Sequence, residues 1–352
     1  MLFVIMDRRT FVQTTGAVGA VGLTGLAGCL GDEGNGDDDF PSESLTWMIP
    51  WGEGGGTDTY ARQMAPLMED PLDQSIEIDN REGAGSMLGS EWLVDQDPDG
   101  YTFGTVNPPG WSFTWRAQDV DGWHPDDLEP IAHSGVFGYT IIINDSYDIE
   151  TYGELRDAYA DDEISGFAYQ GAGSDSHLVT LLLQNEYDLN ADNIVPYDGG
   201  GPVQEAVLSD EVPAGIATNT SAISAVESGE ARAIVNLMDI DLTDTFPDID
   251  PITEYGDSLA WITEFYQVQV APPDTPEEER EILMEAVQEA TEHEDTQEWE
   301  EETGNIVEFG DMDDAADQYV GSVDEIESQV DDTIGGFDEF QQQVEEAEDE
   351  EE

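Results

Sequence analysis

The chain has 352 residues, with 83 acidic side chains against 8 basic ones and a formal net charge of −75; all eight basic residues are arginine. A hydrophobic share of 38%, with 12 Phe, 12 Tyr and 8 Trp, excludes a wholly disordered acidic chain. The lack of any basic patch excludes a protein built to displace counterions from nucleic acid. The length fits about two domains, each able to bury a core. Carboxylates in this excess repel one another at low salt. At roughly 1 M salt the Debye length is only ~3 Å, so the composition reads as adaptation to brine. Acidic clusters are then weak signals of metal binding or catalysis.

The N-terminus runs Asp7-Arg8-Arg9-Thr10-Phe11-Val12, followed by an apolar Gly/Ala-rich stretch from Gly16 to Leu26. Paired arginines before a modest apolar run resemble a Tat export signal, and the run is short for a membrane span. It closes Leu26-Ala27-Gly28-Cys29, which resembles a lipobox. Cys29 is the only cysteine, which leaves no intrachain disulfide and offers a thiol for lipid attachment. Residues 1–28 therefore read as a cleaved signal, and residues 29–44 as a lipid-bearing cysteine with an acidic, Gly-rich tether.

The body opens with the short apolar strand Leu45 to Pro50 and a glycine-rich turn, Gly52-Glu53-Gly54-Gly55-Gly56-Thr57-Asp58. Tyr60, Ala61, Met64, Ala65, Leu67 and Met68 then recur at helical spacing. Strand, glycine turn and helix start form an arrangement in which backbone N–H groups and the helix dipole can hold an anion; such turns are also common as plain structure. Ser75 to Asn80 alternates as a strand. A second glycine turn, Arg81 to Ser86, and a helix over Met87 to Val94 follow, before a strand from Tyr101 to Val106. The repeated β-α-β-α-β order predicts a parallel α/β sheet.

Five short segments resemble one family. Pro50-Trp51-Gly52-Glu53-Gly54-Gly55-Gly56-Thr57-Asp58 with Ala61-Arg62 is similar to the opening signature of the tripartite tricarboxylate transporter substrate-binding receptors, or Bug receptors. Asn80 to Gly85, Pro98-Asp99-Gly100-Tyr101-Thr102, Gly171-Ala172-Gly173-Ser174 with His177-Leu178, and Val195 to Gly199 match further family segments in order. The departures are Glu53 and Glu82 in place of proline and Asp198 in place of lysine. All three move toward acid, and Glu53 lies beside the presumed anion pocket.

The resemblance implies an α/β, two-lobed type II periplasmic-binding-protein-like fold with a ligand cleft between the lobes. Residues 45–140 plus 266–342 would form lobe 1, residues 141–265 lobe 2, and residues 343–352 an acidic tail. It implies an extracytoplasmic receptor, not an enzyme, that captures a small organic carboxylate (a di- or tricarboxylate or an aromatic acid). That ligand would be delivered to the integral membrane subunits of a tripartite tricarboxylate transporter. A sensor of the same fold feeding a signalling partner is the rival reading. No cofactor is implied, and the chain is expected to act as a monomer.

Carried over by position, the ligand loops are Gly54, Gly55, Gly56, Thr57 and Asp58 in one lobe and Gly173, Ser174 and His177 in the other. Asp58 is expected to orient backbone amides or a bridging water without touching the ligand, Ser174 is a ligand contact or an N-cap, and His177 is a pocket wall or a structural histidine. Further candidates are Ser86, Tyr197, Asn219 and Thr220, the last two following a strand from Pro213 to Ala217. Arg81 reads as a brace for its loop. Trp111, Phe113 and Trp115 follow a strand end, where such folds line their clefts, or they belong to a local core. Asp95, Asp97 and Asp99 mimic a calcium loop, but Pro98 interrupts it and Val106 stands where a closing Glu belongs. The four histidines show no zinc-like spacing, and no Gly-x-Ser-x-Gly elbow occurs.

Overall fold

The computed structural model describes residues 40–351 with the exception of Asp198, and side chains as far as residue 344. The expected export signal, Cys29, the expected tether up to residue 39, Asp198 and Glu352 lie outside the described residues. In chain order the elements begin β1 (Leu45–Ile49), α1 (Gly56–Leu72), β2 (Ile76–Asn80), α2 (Met87–Val94), β3 (Thr102–Val106), α3 (Gly110–Ala117) and β4 (Glu129–Asn144). There follow α4 (Tyr152–Ala160), β5 (Phe167–Gln170), α5 (Asp175–Glu186), β6 (Ile194–Tyr197), α6 (Gly200–Leu208), β7 (Ala214–Thr218), α7 (Asn219–Glu227) and β8 (Ala231–Asn236). The chain ends with β9 (Asp250–Pro251), α8 (Ala260–Thr263), β10 (Glu264–Ala271), α9 (Glu277–Glu292), α10 (Glu294–Thr303), α11 (Met312–Tyr319), α12 (Ser322–Ile334) and α13 (Phe337–Glu351).

The strands line up in the order β2-β1-β3-β10-β4-β7-β5-β6, with β8 joined to β4 and β9. β1 pairs in parallel with β2 and β3, and β5 in parallel with β6 and β7. Between these two parallel sets run β10 and β4, antiparallel to their neighbours. The 16-residue β4 serves both halves. As far as Gly138 it pairs with β10, and from Tyr139 onward with β7 and β8. This is the two-lobed arrangement expected, with the crossing at Gly138–Tyr139. A side chain at position 138 would run into Met238 and the Thr263 carbonyl, so only glycine fits where the strands cross.

Each half has its own core. In the first, the α1 face of Tyr60, Ala61, Met64, Ala65 and Met68 packs with Leu283, Ala286, Val287 and Ala290 of α9 over the buried strand residues Trp47 and Phe103. Both helices show the 3.6-residue apolar stripe read from the sequence. In the second half, Ala168 of β5, Ala217 of β7, Val203 and Val207 of α6, and Ala222 of α7 pack with Leu242 and Phe246.

The C-terminal segment departs from the expected lobe assignment. Ile326, Val330, Phe337 and Phe340 share one buried cluster with Phe113 of α3 and with Leu178, Leu182 and Leu183 of α5. The chain after Tyr319 is thus not simply part of lobe 1. Its apolar stripe is buried where α3 of the first half meets α5 of the second.

Candidate functional site

The Gly52–Gly56 turn is held by one buried carboxylate. Gly54 has φ of 79°, and the Gly55 amide bonds back to the Gly52 carbonyl at 3.3 Å. Asp58 Oδ2 accepts the Gly54 amide and Arg62 Nε, both at 2.8 Å, while its Oδ1 accepts Asn80 Nδ2 at 3.0 Å. Asp58 is 1% exposed, and its carboxylate is engaged in shaping the turn. Gly55 occupies the N-cap of α1 and supplies no side-chain cap. The first amides of α1, on Gly56, Thr57 and Asp58, therefore lack intrahelical partners and carry the positive end of the helix dipole. Glu53, which looked threatening in the sequence, points outward: its side chain is 82% exposed and lies 3.6 Å from Arg62.

Gly56 and Thr57 border a narrow cavity, about 410 Å³ of empty space with the solvent at its mouth included, of which about 30 Å³ admits the centre of a water molecule. Gly55, Gly56 and Thr57 line it from α1, Asp175 from the start of α5, Gly200 from the start of α6, and Thr218 from the N-cap of α7. Four helix starts thus converge on one space. Those of α1 and α6 have glycine N-caps and no side-chain cap. The walls are aromatic: Trp51, Trp111, Phe137, Tyr139 and Phe265. Asn107, at the end of β3, ties the floor together. Its Oδ1 accepts Trp51 Nε1 and Thr57 Oγ1, each at 2.9 Å, and its Nδ2 donates to the Tyr266 carbonyl and Gln267 Oε1 at 3.2 Å.

One acid faces this space. Asp175 is 3% exposed and takes the Tyr139 hydroxyl hydrogen on Oδ2 at 2.9 Å. Burial pushes its carboxyl up to about 6, against the pull of the Tyr139 hydroxyl and the first amides of α5. The ion pairs of the described residues do not include it.

The other expected site residues scatter. Gly54 borders an outer groove with Glu53, Glu82 and Glu205, not the cavity. Ser174 is the N-cap residue of α5 but does not cap it. Its buried hydroxyl instead faces the Gln170 and Gly171 carbonyls at 2.5 and 2.8 Å. His177 accepts the Gly173 amide on Nδ1 at 3.1 Å and lies against Tyr169 with ring centres 4.7 Å apart. Burial lowers its titration to about 4, its Nε2 is buried without a hydrogen-bond partner, and the residue lies away from the cavity lining. Tyr197 donates to Glu211 at 3.2 Å. Asn219 Oδ1 accepts the Gly138 amide at 3.0 Å, at the lobe crossing. Ser86 Oγ, Asn219 Nδ2 and Thr220 Oγ1 are buried without a hydrogen-bond partner. Of the three aromatics after β3, only Trp111 reaches the cavity. Phe113 packs on Phe337 and Phe340, and Trp115 on Trp123 and His124. Arg81 pairs with Asp79 at 2.7 Å and lies 3.6 Å over the Trp92 ring, bracing its own loop.

The sequence did not point to Trp51, Asn107, Phe137, Tyr139, Gln170, Asp175, Gly200, Thr218 and Phe265 as cavity residues. Asn107 and Thr218 stand at the ends of β3 and β7, the places where α/β sheets present ligand contacts, so that signal was available.

No free cation serves this site among the described residues. Arg62, Arg81, Arg116, Arg156, Arg232 and Arg280 each pair with at least one carboxylate. An anion entering the cavity meets neutral donors: the uncapped helix amides and Gln170 Nε2, which keeps one hydrogen beyond its bond to the Ile216 carbonyl, while the Thr57 hydroxyl and the Asn107 amide hydrogens are already donated.

Residues 60–320 match the Tripartite tricarboxylate transporter family receptor. A UPF0065 protein of Bordetella pertussis is 30% identical over 246 residues, which span 68% of this chain and 74% of that protein. Among solved structures, MatC from Rhodopseudomonas palustris with bound malate is 26% identical with a TM-score of 0.68. The match covers 76% of this chain and 91% of MatC. The periplasmic binding protein BugD superposes with a TM-score of 0.67 at 21% identity, over 88% of this chain and 95% of that one.

Proposed function

This chain belongs to the tripartite tricarboxylate transporter receptor family, and on that premise we propose that it captures a small organic carboxylate outside the cytoplasm and delivers it to a membrane transporter. The observation that carries the reading is the cavity itself, where uncapped α1 and α6 starts meet and every described arginine is already committed. Helix-start amides favour a carboxylate without any charged side chain. The malate held by MatC supports the same ligand class.

The ligand carboxylate rests on the Gly56 and Thr57 amides and the Gly200 end of α6, with Asp58 holding the α1 turn in shape. Gly55 lines this space, and Gly173 and Ser174 form the turn that leads into α5, whose first residue, Asp175, reaches it. The lobes close about the Gly138–Tyr139 crossing. The N-terminal segment complements the receptor role. A Tat signal exports the folded chain, Cys29 takes lipid, and the tether holds the receptor at the outer face of the membrane, where the transporter's membrane subunits collect its cargo. The carboxylate-rich composition suits a brine outside the cell.

Thermal unfolding of the full chain in molar KCl, against citrate, succinate, malate, glutamate and aromatic acids with neutral analogues as controls, tests the reading. A ligand at 100 times its dissociation constant adds about 2.7 kcal/mol, a clear upward shift. A shift confined to acids supports it, and a flat response to every acid opposes it.

A further inference from the structure

Asp175 lines the same cavity as the α1 and α6 starts, 3% exposed and without an ion-pair partner. Its surroundings are two hydroxyls and rings: Tyr139 bonds Oδ2 at 2.9 Å, the Thr114 hydroxyl lies 3.5 Å from Oδ1 and 3.4 Å from the Asp175 amide, and the Phe265 ring meets Tyr139 edge-on at 4.7 Å between centres. A side chain at Gly110 would strike both Asp175 and Phe265, so the acid and that ring press on one point. A carboxylate among aromatic faces is the chemistry that receives an ammonium group, through charge pairing and cation–π attraction. The helix-start amides of the same cavity receive the opposite charge.

We propose that Asp175 determines specificity by pairing with an ammonium group, so that the ligand is a zwitterionic amino acid with its carboxylate on the α1 and α6 starts. This rests on the receptor reading above and narrows its ligand class. A second carboxylate placed at Asp175 would set two like charges together in a dry site, which disfavours plain dicarboxylates.

The test is calorimetric titration of the full chain in molar KCl with matched pairs that differ only in the amine: glutamate and glutarate, leucine and 4-methylpentanoate, 4-aminobutyrate and butyrate. At least one amine-bearing acid is expected to bind ten times more tightly than its partner, and Asp175→Asn is expected to erase that preference. Asp175→Ser, which keeps a polar side chain at the start of α5, is expected to erase it too and provides a second reading if Asp175→Asn folds poorly. Equal or tighter binding of the amine-free acids, or a preference that survives Asp175→Asn or Asp175→Ser, overturns the proposal while leaving the receptor reading in place. Failure of every acid to bind rejects both.

Discussion

Asp58 accepts the Gly54 amide hydrogen at 2.8 Å, four residues back along the chain, and so fixes the turn whose following amides border the cavity. The same carboxylate holds Arg62 and Asn80. Asp58→Ala leaves three donors without their acceptor and frees the turn. We expect about 2–4 kcal/mol of lost stability, by the cost of breaking buried charged hydrogen bonds, and at least tenfold weaker ligand binding. Thermal melting and titration of the variant measure the two effects separately.

Ser174 gives the contrasting case. Its hydroxyl is spent on the Gln170 and Gly171 carbonyls inside the second lobe. Ser174→Ala is expected to cost about 1 kcal/mol of stability, the worth of one internal hydrogen bond, and to change affinity less than threefold. A large affinity loss at unchanged stability would return Ser174 to the ligand.

Much of this was legible beforehand. Tyr60, Met64 and Met68 announced α1 by spacing, and the acid four residues after Gly54 pointed to a turn brace. Asp175 was not legible, because with 83 acidic residues one more carries no signal. Phe137, Tyr139 and Phe265 were hidden differently. They lie on β4 and β10, where nearly every residue is buried, so alternation could not say which side faces the cavity. The packing of Phe337 and Phe340 onto Phe113 depends on the tertiary path of the last two helices, which no local pattern encodes.

Asp175 and His177 make stability respond to pH in opposite senses. Asp175 releases its proton near 3.8 when unfolded and near 6 when folded, so its contribution falls as pH rises between those values. His177 takes a proton near 6.5 when unfolded and only near 4 when folded, so its contribution falls as pH drops through that window. Each effect amounts to roughly 3 kcal/mol and they largely cancel. Relative to the wild type, Asp175→Asn should gain stability progressively from pH 4 to 6. His177→Gln should gain it in the reverse direction, after allowing for lost ring contacts. Denaturant melts across pH 4 to 7 give both slopes, and parallel curves for all three proteins would contradict the assignment.

Gly56 sits where the lobes meet. A Cβ there would lie 3.1 Å from Thr218 Oγ1 and 3.2 Å from the Phe137 ring. Gly56→Ala is expected to prop the cavity open and weaken binding roughly three- to tenfold, since crowding of this size costs about 1 kcal/mol. Phe137→Leu in the same chain should restore part of the loss, as a titration of both variants will show.

The composition makes its own forecast. Repulsion among the carboxylates reaches about 10 Å at 0.1 M salt and about 3 Å at 1 M. The melting temperature should rise steeply with KCl between those concentrations, followed by circular dichroism. A flat profile would contradict adaptation to brine.

The central claim is that backbone amides and neutral side chains, without a free arginine, hold the ligand's carboxylate in this cavity. Calorimetric titration of the full chain with its best acid and with the corresponding neutral amide tests it most directly. We predict saturable one-to-one binding of the acid, with the amide about a hundredfold weaker, as expected when one charge-assisted hydrogen-bond set is lost. Equal affinity for acid and amide would contradict it.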